Sequence, residues 1–162
     1  MKKKLIVDNT VCCGCLSCMT NCSQYHDSHA SPESARIKVN LEPFSGVHTI
    51  IYCQQCDEAE CHQNCPQGAI SLSETGNYYE VDYQLCVDCH TCIEVCPYGA
   101  MFYNPFRERV MKCDLCHGDP ICAQSCFSGA LWYGAGDEEQ PDKLVSRYFF
   151  LEKKKKKANA HD

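Results

Sequence analysis

The chain has 162 residues, a formal charge of −6 and seventeen cysteines. Leu, Ile, Val and Phe make up under a fifth of it, which is thin for the apolar core of an ordinary α/β enzyme domain of this length. The acidic balance argues against a general nucleic-acid binder, and no apolar run approaches the ~20 residues of a membrane span.

In chain order, the first predicted element is an edge strand at Leu5-Ile6-Val7. The lysines before it mimic the start of a secretory signal, but three apolar residues before Asp8 fall short of the roughly 7–15 that such a signal needs. No twin-arginine pair occurs, so a cytoplasmic location is expected. The first cysteine run follows: Cys12, Cys15, Cys18 and Cys22, with Cys13 left over. Ile37-Lys38-Val39 and Thr49-Ile50-Ile51 read as a strand pair. The second run is Cys53, Cys56, Cys61 and Cys65. Ile70-Ser71-Leu72 and Tyr78 to Val81 flank Glu74-Thr75-Gly76-Asn77, a hairpin signal. The third run is Cys86, Cys89, Cys92 and Cys96. A second hairpin is predicted from Met101-Phe102-Tyr103 and Arg109-Val110-Met111 around Asn104-Pro105-Phe106. The fourth run is Cys113, Cys116, Cys122 and Cys126. Short helices are expected to begin near the fourth cysteine of some runs. Beyond them, Leu144 to Leu151 reads as an apolar docking segment and Lys153 to Lys157 as a solvated tail.

The spacings carry the chemistry. Runs one and three have gaps of two, two and three residues, the bacterial ferredoxin spacing for [4Fe–4S] ligation. Runs two and four keep the first and last gaps and widen the middle one. Three thiolates from one tight loop reach three corners of a cube, with backbone N–H groups turned toward the anionic sulfurs. The fourth cysteine, past the turn, reaches a neighbouring cluster. Sixteen thiolates thus suit four [4Fe–4S] clusters, with Cys13 outside the ligand set. Three runs share a sequel: Cys65-Pro-Gln-Gly-Ala-Ile70, Cys96-Pro-Tyr-Gly-Ala-Met101 and Cys126-Phe-Ser-Gly-Ala-Leu131. Its Ala suits close approach to a cluster, and its last residue opens a strand. Run one departs, since Cys22 leads into Ser23-Gln24-Tyr25-His26.

Rival metals fit less well. Zinc sites use separated Cys pairs, not runs of three. Cys86-Val-Asp-Cys89-His90 and Cys113-Asp-Leu-Cys116-His117 match the c-type haem attachment pattern, but haem would strand half of two complete runs. His90 and His117 therefore read as solvated loop residues near a cluster. His26, His29, His48, His62 and His161 read as surface residues, Cys13 as a small filler, and Trp132 with its neighbouring tyrosines as core or interface. Nothing in the sequence looks like a substrate site: there is no phosphate loop and no nucleophile with a paired base. The chain reads as a relay, not catalytic alone, which requires partner proteins.

The four runs in this order resemble the four-cluster electron-transfer subunits of molybdenum and tungsten oxidoreductases, over roughly residues 5 to 133. The resemblance implies an α+β fold of two interleaved bacterial-ferredoxin-like lobes. The outer lobe would take residues 1–52 and 113–135, the inner lobe 53–112, and 136–162 would be a C-terminal extension. It implies one cluster on Cys12, Cys15, Cys18 and Cys126, and a second on Cys113, Cys116, Cys122 and Cys22. A third falls on Cys53, Cys56, Cys61 and Cys96, and a fourth on Cys86, Cys89, Cys92 and Cys65. The compact fourth run and short chain look most like the small polyferredoxin subunit of tungsten-dependent aldehyde:ferredoxin oxidoreductases. That implies a tungstopterin catalytic subunit on one side and a ferredoxin or FAD/NAD-linked protein on the other, with further copies of the chain as possible partners. A formate dehydrogenase or dimethyl sulfoxide reductase-type complex, or a free-standing polyferredoxin, are the alternatives.

Overall fold

The computed structural model describes residues 3–135; the predicted docking segment, the lysine tail and His161 lie outside them. Four antiparallel ribbons of two strands each frame four helices. β1 (Lys4–Val7) pairs with β8 (Leu131–Gly134), with Ile6 opposite Trp132, so the two ends of the described chain close on each other. Between them lie the ribbons β2 (Lys38–Asn40) with β3 (Thr49–Ile51), β4 (Ile70–Leu72) with β5 (Tyr79–Val81), and β6 (Met101–Asn104) with β7 (Arg109–Lys112). The strands open where expected: Ile70, Met101 and Leu131 each follow a Gly-Ala pair. Gly68 and Gly99 sit at φ +61° and +57°, a left-handed turn that favours glycine. The hairpin turn after β4 closes through Gly76 N–H donating to Ser73 O at 2.8 Å. The Asn104 side chain caps the next turn, accepting from the N–H of Phe106 and Arg107.

The helices correct one expectation. α1 (Ser17–Asp27), α2 (Glu60–Gln63), α3 (Thr91–Glu94) and α4 (Ile121–Gln124) each begin one residue before the third cysteine of a run, not near the fourth. The loop around the second cysteine delivers the chain to the third already turning. In runs one and three a left-handed residue, Leu16 or His90, makes that entry, and its carbonyl accepts the first helical bonds. α2, α3 and α4 each last one turn; Pro66 and Pro97 disfavour helical geometry at Cys65 and Cys96, while α4 stops at the same place with Phe127 after Cys126. No proline follows Cys22, and α1 runs five residues past it. Buried Ser23 pins the return of the chain, donating to Thr20 O and accepting from Ser31 N–H.

α1 packs on α4, and α2 on α3. Two buried clusters result, both rich in cysteine. One gathers Leu5, Met19, Ile37, Leu115 and Leu131 with cysteines of runs one and four and Cys53. The other gathers Ile70, Tyr79, Met101 and Val110 with Cys61 and Cys92. Sulfur fills positions that a larger apolar side chain would hold in an ordinary core. Trp132 and Tyr133 are half-buried on β8.

Candidate metal centres

Each Cys-x-x-Cys turn is built on a left-handed residue just before its second cysteine: Gly14 (φ +67°), Gln55 (+49°), Asp88 (+50°) and Leu115 (+53°). Only Gly14 adopts this cheaply; the others cost of order 1–3 kcal/mol each and need outside support. That support is present. Gln55 is buried, its amide donating to Cys113 O at 2.7 Å and accepting from Tyr79 N–H at 3.0 Å. The Asp88 carboxylate accepts from Val110 N–H at 2.8 Å, and the Leu115 side chain is fully buried. The N–H groups of Gly14, Asp88 and Leu115 bond the sulfurs of Cys12, Cys86 and Cys113. Sequence reasoning expected inward N–H groups but missed the residues that turn them, because Gln and Leu carry no turn signal and a lone Asp carries a weak one.

The fourth cysteines accept N–H bonds at their sulfurs in the same way. Ala69 N–H donates to Cys65 and Ala100 N–H to Cys96, each at 3.3 Å. At Cys126 the donor moves on by one residue, to Leu131, also at 3.3 Å. Cys22, which lacks the Gly-Ala sequel, receives its N–H from Arg36 at 3.2 Å, fourteen residues on. The departure of run one is thus offset by a longer loop.

The fold brings thiols of different runs near one another. Cys126 lies beside Cys12 and Cys18. Cys22 lies beside Cys116 and Cys122, and Cys122 beside Cys116; Cys113 neighbours Cys122 and Cys22. Cys96 lies beside Cys56 and Cys61, with Cys53 next to both. Cys65 lies beside Cys86, and Cys92 beside Cys86 and Cys89. Thiols of different cavities also act on one another electrostatically: Cys18 raises Cys122, Cys53 raises Cys113, and Cys61 raises Cys92. Cys65, Cys86, Cys89 and Cys92 line one cavity, and Cys53, Cys56, Cys61 and Cys96 line another.

Burial dominates the acidity of these thiols. It pushes Cys18 up to about 12, and Cys22 and Cys92 up to about 11, with neighbouring sulfurs adding to the effect. Cys113 and Cys122 are raised too, by burial first and adjacent thiols second. Cys89 is lowered by the Thr91 hydroxyl and N–H. At Cys15, burial is outweighed by the hydroxyl and N–H of Ser17, and the net shift is downward. A thiol held neutral inside a set of four becomes a thiolate only with positive charge between the sulfurs.

Two sites hold buried cations. Arg36 donates to Asp114 Oδ2 at 2.8 Å, while Asp114 Oδ1 caps the turn by accepting from Cys116 N–H at 3.0 Å. Lys112 is buried, and its ammonium donates to Cys53 Sγ at 2.9 Å.

The structure corrects two of the single-residue readings. His26 is no surface residue: its side chain is 8 % exposed, with Nε2 at 3.6 Å from both Cys116 Sγ and Asp114 Oδ1. Burial, followed by the Arg36 charge, lowers its pKa to about 4, so the ring is neutral near pH 7. The extension of α1 past Cys22 carries His26 there, which the absence of a proline could have signalled. Cys13 is exposed and fills no core position. His90 and His117 are exposed, as expected of loop residues.

Four sulfur donors lining one cavity and backbone N–H groups donating to the sulfurs of Cys65 and Cys86 together fit a [4Fe–4S] group. Sulfur-only donor sets also suit zinc, but runs of three closely spaced cysteines with backbone hydrogen bonds to their sulfurs are what cluster chemistry uses.

The family described as the 4Fe-4S dicluster domain matches residues 47–136. The aliphatic sulfonate oxidoreductase polyferredoxin-like subunit of Pyrococcus furiosus is 32% identical over 122 residues, which is 75% of this chain and 70% of the relative. A subunit of the anaerobic dimethyl sulfoxide reductase of Shigella flexneri is 32% identical over 150 residues, 82% of this chain and 73% of the relative. Among solved structures, a chain of the active-site complex BamBC of benzoyl coenzyme A reductase superposes with a TM-score of 0.51 at 28% identity, covering 93% of this chain and 87% of that one. The chain therefore belongs to the 4Fe-4S dicluster family and is an iron–sulfur electron-transfer protein homologous to that subunit of dimethyl sulfoxide reductase.

Proposed function

We propose that each thiol set binds one [4Fe–4S] cluster, so that the chain carries four and relays single electrons along the row between a catalytic subunit and a second redox protein. The ligand sets are Cys12, Cys15, Cys18 and Cys126; Cys22, Cys113, Cys116 and Cys122; Cys53, Cys56, Cys61 and Cys96; and Cys65, Cys86, Cys89 and Cys92. Residues 1–52 with 113–135 form an outer ferredoxin-like lobe around the first two sets, and 53–112 an inner lobe around the others. The observation that carries this reading is the position of the fourth cysteines: each lies beside cysteines of a different run.

A bound [4Fe–4S] cluster supplies storage of one electron with little rearrangement. The chain's own groups do the rest. Backbone N–H groups of Arg36, Ala69, Ala100 and Leu131 stabilise negative sulfur. Apolar walls keep water from the buried sulfurs, and the Arg36 and Lys112 charges bias where an electron rests. Iron and acid-labile sulfide should each approach about sixteen per chain in anaerobically prepared protein, four per cluster. About eight of each would overturn the four-cluster reading.

The partner is a large catalytic oxidoreductase subunit, in keeping with the sulfonate oxidoreductase, dimethyl sulfoxide reductase and benzoyl coenzyme A reductase assemblies named for the relatives. The finer reading is a tungstopterin subunit that oxidises aldehydes, passing electrons through this chain to a ferredoxin or a flavoprotein linked to NAD. The compact fourth run supports it. A dimethyl sulfoxide reductase-type partner fits the relatives equally well. Metal analysis of the subunit that co-purifies at native expression decides: tungsten with aldehyde oxidation upholds the finer reading, and molybdenum overturns it. A chain that always purifies alone is a free-standing polyferredoxin.

A further inference from the structure

Lys112 ends β7 and immediately precedes Cys113. Its backbone therefore belongs to the loop of one thiol set, while its side chain lines the cavity of the next, that of Cys53, Cys56, Cys61 and Cys96. The residue is 3 % exposed, and its Nζ donates to Cys53 Sγ at 2.9 Å with the ring centroid of Tyr79 at 5.7 Å. Among the described residues no carboxylate lies within salt-bridge distance of it. A buried ammonium without a counter-charge is expensive, so the anion it answers is the sulfur set itself.

The neighbouring sets differ. Arg36 approaches the set of Cys22 through its backbone N–H, but its guanidinium is paired with Asp114 at 2.8 Å. The cavity of Cys65, Cys86, Cys89 and Cys92 is lined by no lysine or arginine, and the Asp88 carboxylate borders it. Among the described residues, the set of Cys53, Cys56, Cys61 and Cys96 is the one whose sulfur accepts a hydrogen bond from a buried ammonium; Lys38 acts on Cys22 through charge alone, its ammonium donating to the carbonyls of Pro32 and Glu33.

We infer that Lys112 tunes the potential of the cluster held by Cys53, Cys56, Cys61 and Cys96, making it the more readily reduced of the inner pair and the resting place of the electron between the outer lobe and the end of the row. The inference rests on the four-cluster reading. Reduction takes one electron from the donor, adds one negative charge, and breaks or forms no bond; no proton moves. A fixed positive charge a few ångströms away in a partly dry medium favours that added charge by about ten- to a hundredfold. Lys112 is a positioning charge, since it acts through Cys53.

The test is a reductive titration of the full chain, loaded with iron and followed by electron paramagnetic resonance. The component of this set is identified as the one lost in Cys96→Ala. Lys112→Met keeps the stem and removes the charge; it should lower that component's equilibrium constant for reduction at least tenfold, which is 59 mV for one electron. Lys112→Arg should hold it within twofold of wild type, and the component lost in Cys65→Ala should move less. Unchanged midpoints in Lys112→Met at full iron content overturn the assignment. Should Lys112→Met bind no iron, Lys112→Gln is titrated instead, and failure of both to bind iron overturns it, because the lysine is then an assembly group. A wild-type iron content near eight defeats the four-cluster reading; full iron with unmoved midpoints defeats only the role of Lys112.

Discussion

Replacing Asp114 by Asn isolates the charge of one buried pair. Asp114 is 10 % exposed and Arg36 16 %, with 2.8 Å between Nη1 and Oδ2. An Asn at 114 keeps the oxygen that accepts from Cys116 N–H, so the turn survives while the guanidinium loses its counter-charge. Coulomb attraction at this distance is about 6 kcal/mol at an effective dielectric of 20, and desolvation offsets a large part of it. Breaking a buried pair from one side costs about 3–5 kcal/mol; the residual exposure of Arg36 argues for about 3. Iron loss makes unfolding irreversible, so the readout is a rate: bleaching of the visible iron–sulfur absorbance in guanidinium chloride under argon. About 3 kcal/mol corresponds to somewhat over a hundredfold in that rate when the pair is absent from the transition state. Adding Arg36→Met removes the orphaned charge and should bring the rate back to within about tenfold of wild type. A rate for Asp114→Asn within threefold of wild type, or no recovery in the double variant, would refute the reasoning.

Other expectations follow from the same geometry. Cys126→Ala should remove the same paramagnetic component as Cys12→Ala, and Cys113→Ala a different one; loss of one shared component in Cys126→Ala and Cys113→Ala would falsify the crossed arrangement. Burial raises the Cys18, Cys22 and Cys92 thiols above their unfolded value of 9.0, so the native form of the reduced, iron-free chain keeps this stabilisation below pH 9 and loses it between pH 9 and about 12. Far-ultraviolet circular dichroism should show structure falling over that window, and structure that grows with alkali would contradict it. His26 has the opposite window: with its pKa lowered from 6.5 to about 4, the neutral ring favours the fold above pH 6.5, and that contribution is lost as pH falls through about 4. His26→Gln should therefore bleach with a shallower acid dependence between pH 6.5 and 4 than wild type, and an identical profile would count against a buried ring.

Much of the architecture was legible because cluster chemistry is read from local spacing. Two-residue gaps between cysteines fix which sulfurs share a loop, and Gly-Ala followed by an apolar residue marks where β4, β6 and β8 open. Helix starts were misread because they depend on the loop's exit geometry, and the left-handed residues Gln55 and Leu115 have no local preference for that conformation. Each is held by a contact that is distant in sequence, such as Gln55 with Cys113.

By itself the sequence determined the donor chemistry: cysteines in four runs at ferredoxin-like spacings, in a chain whose apolar content is thin for an ordinary core. Only the tertiary structure decided that Arg36 supplies the N–H missing after Cys22, and that His26 and Lys112 end beside cysteine sulfur. These juxtapositions join residues from 14 to 90 positions apart, beyond the reach of local spacing. Local spacing limits what a loop can hold; long-range packing sets the charge that surrounds it.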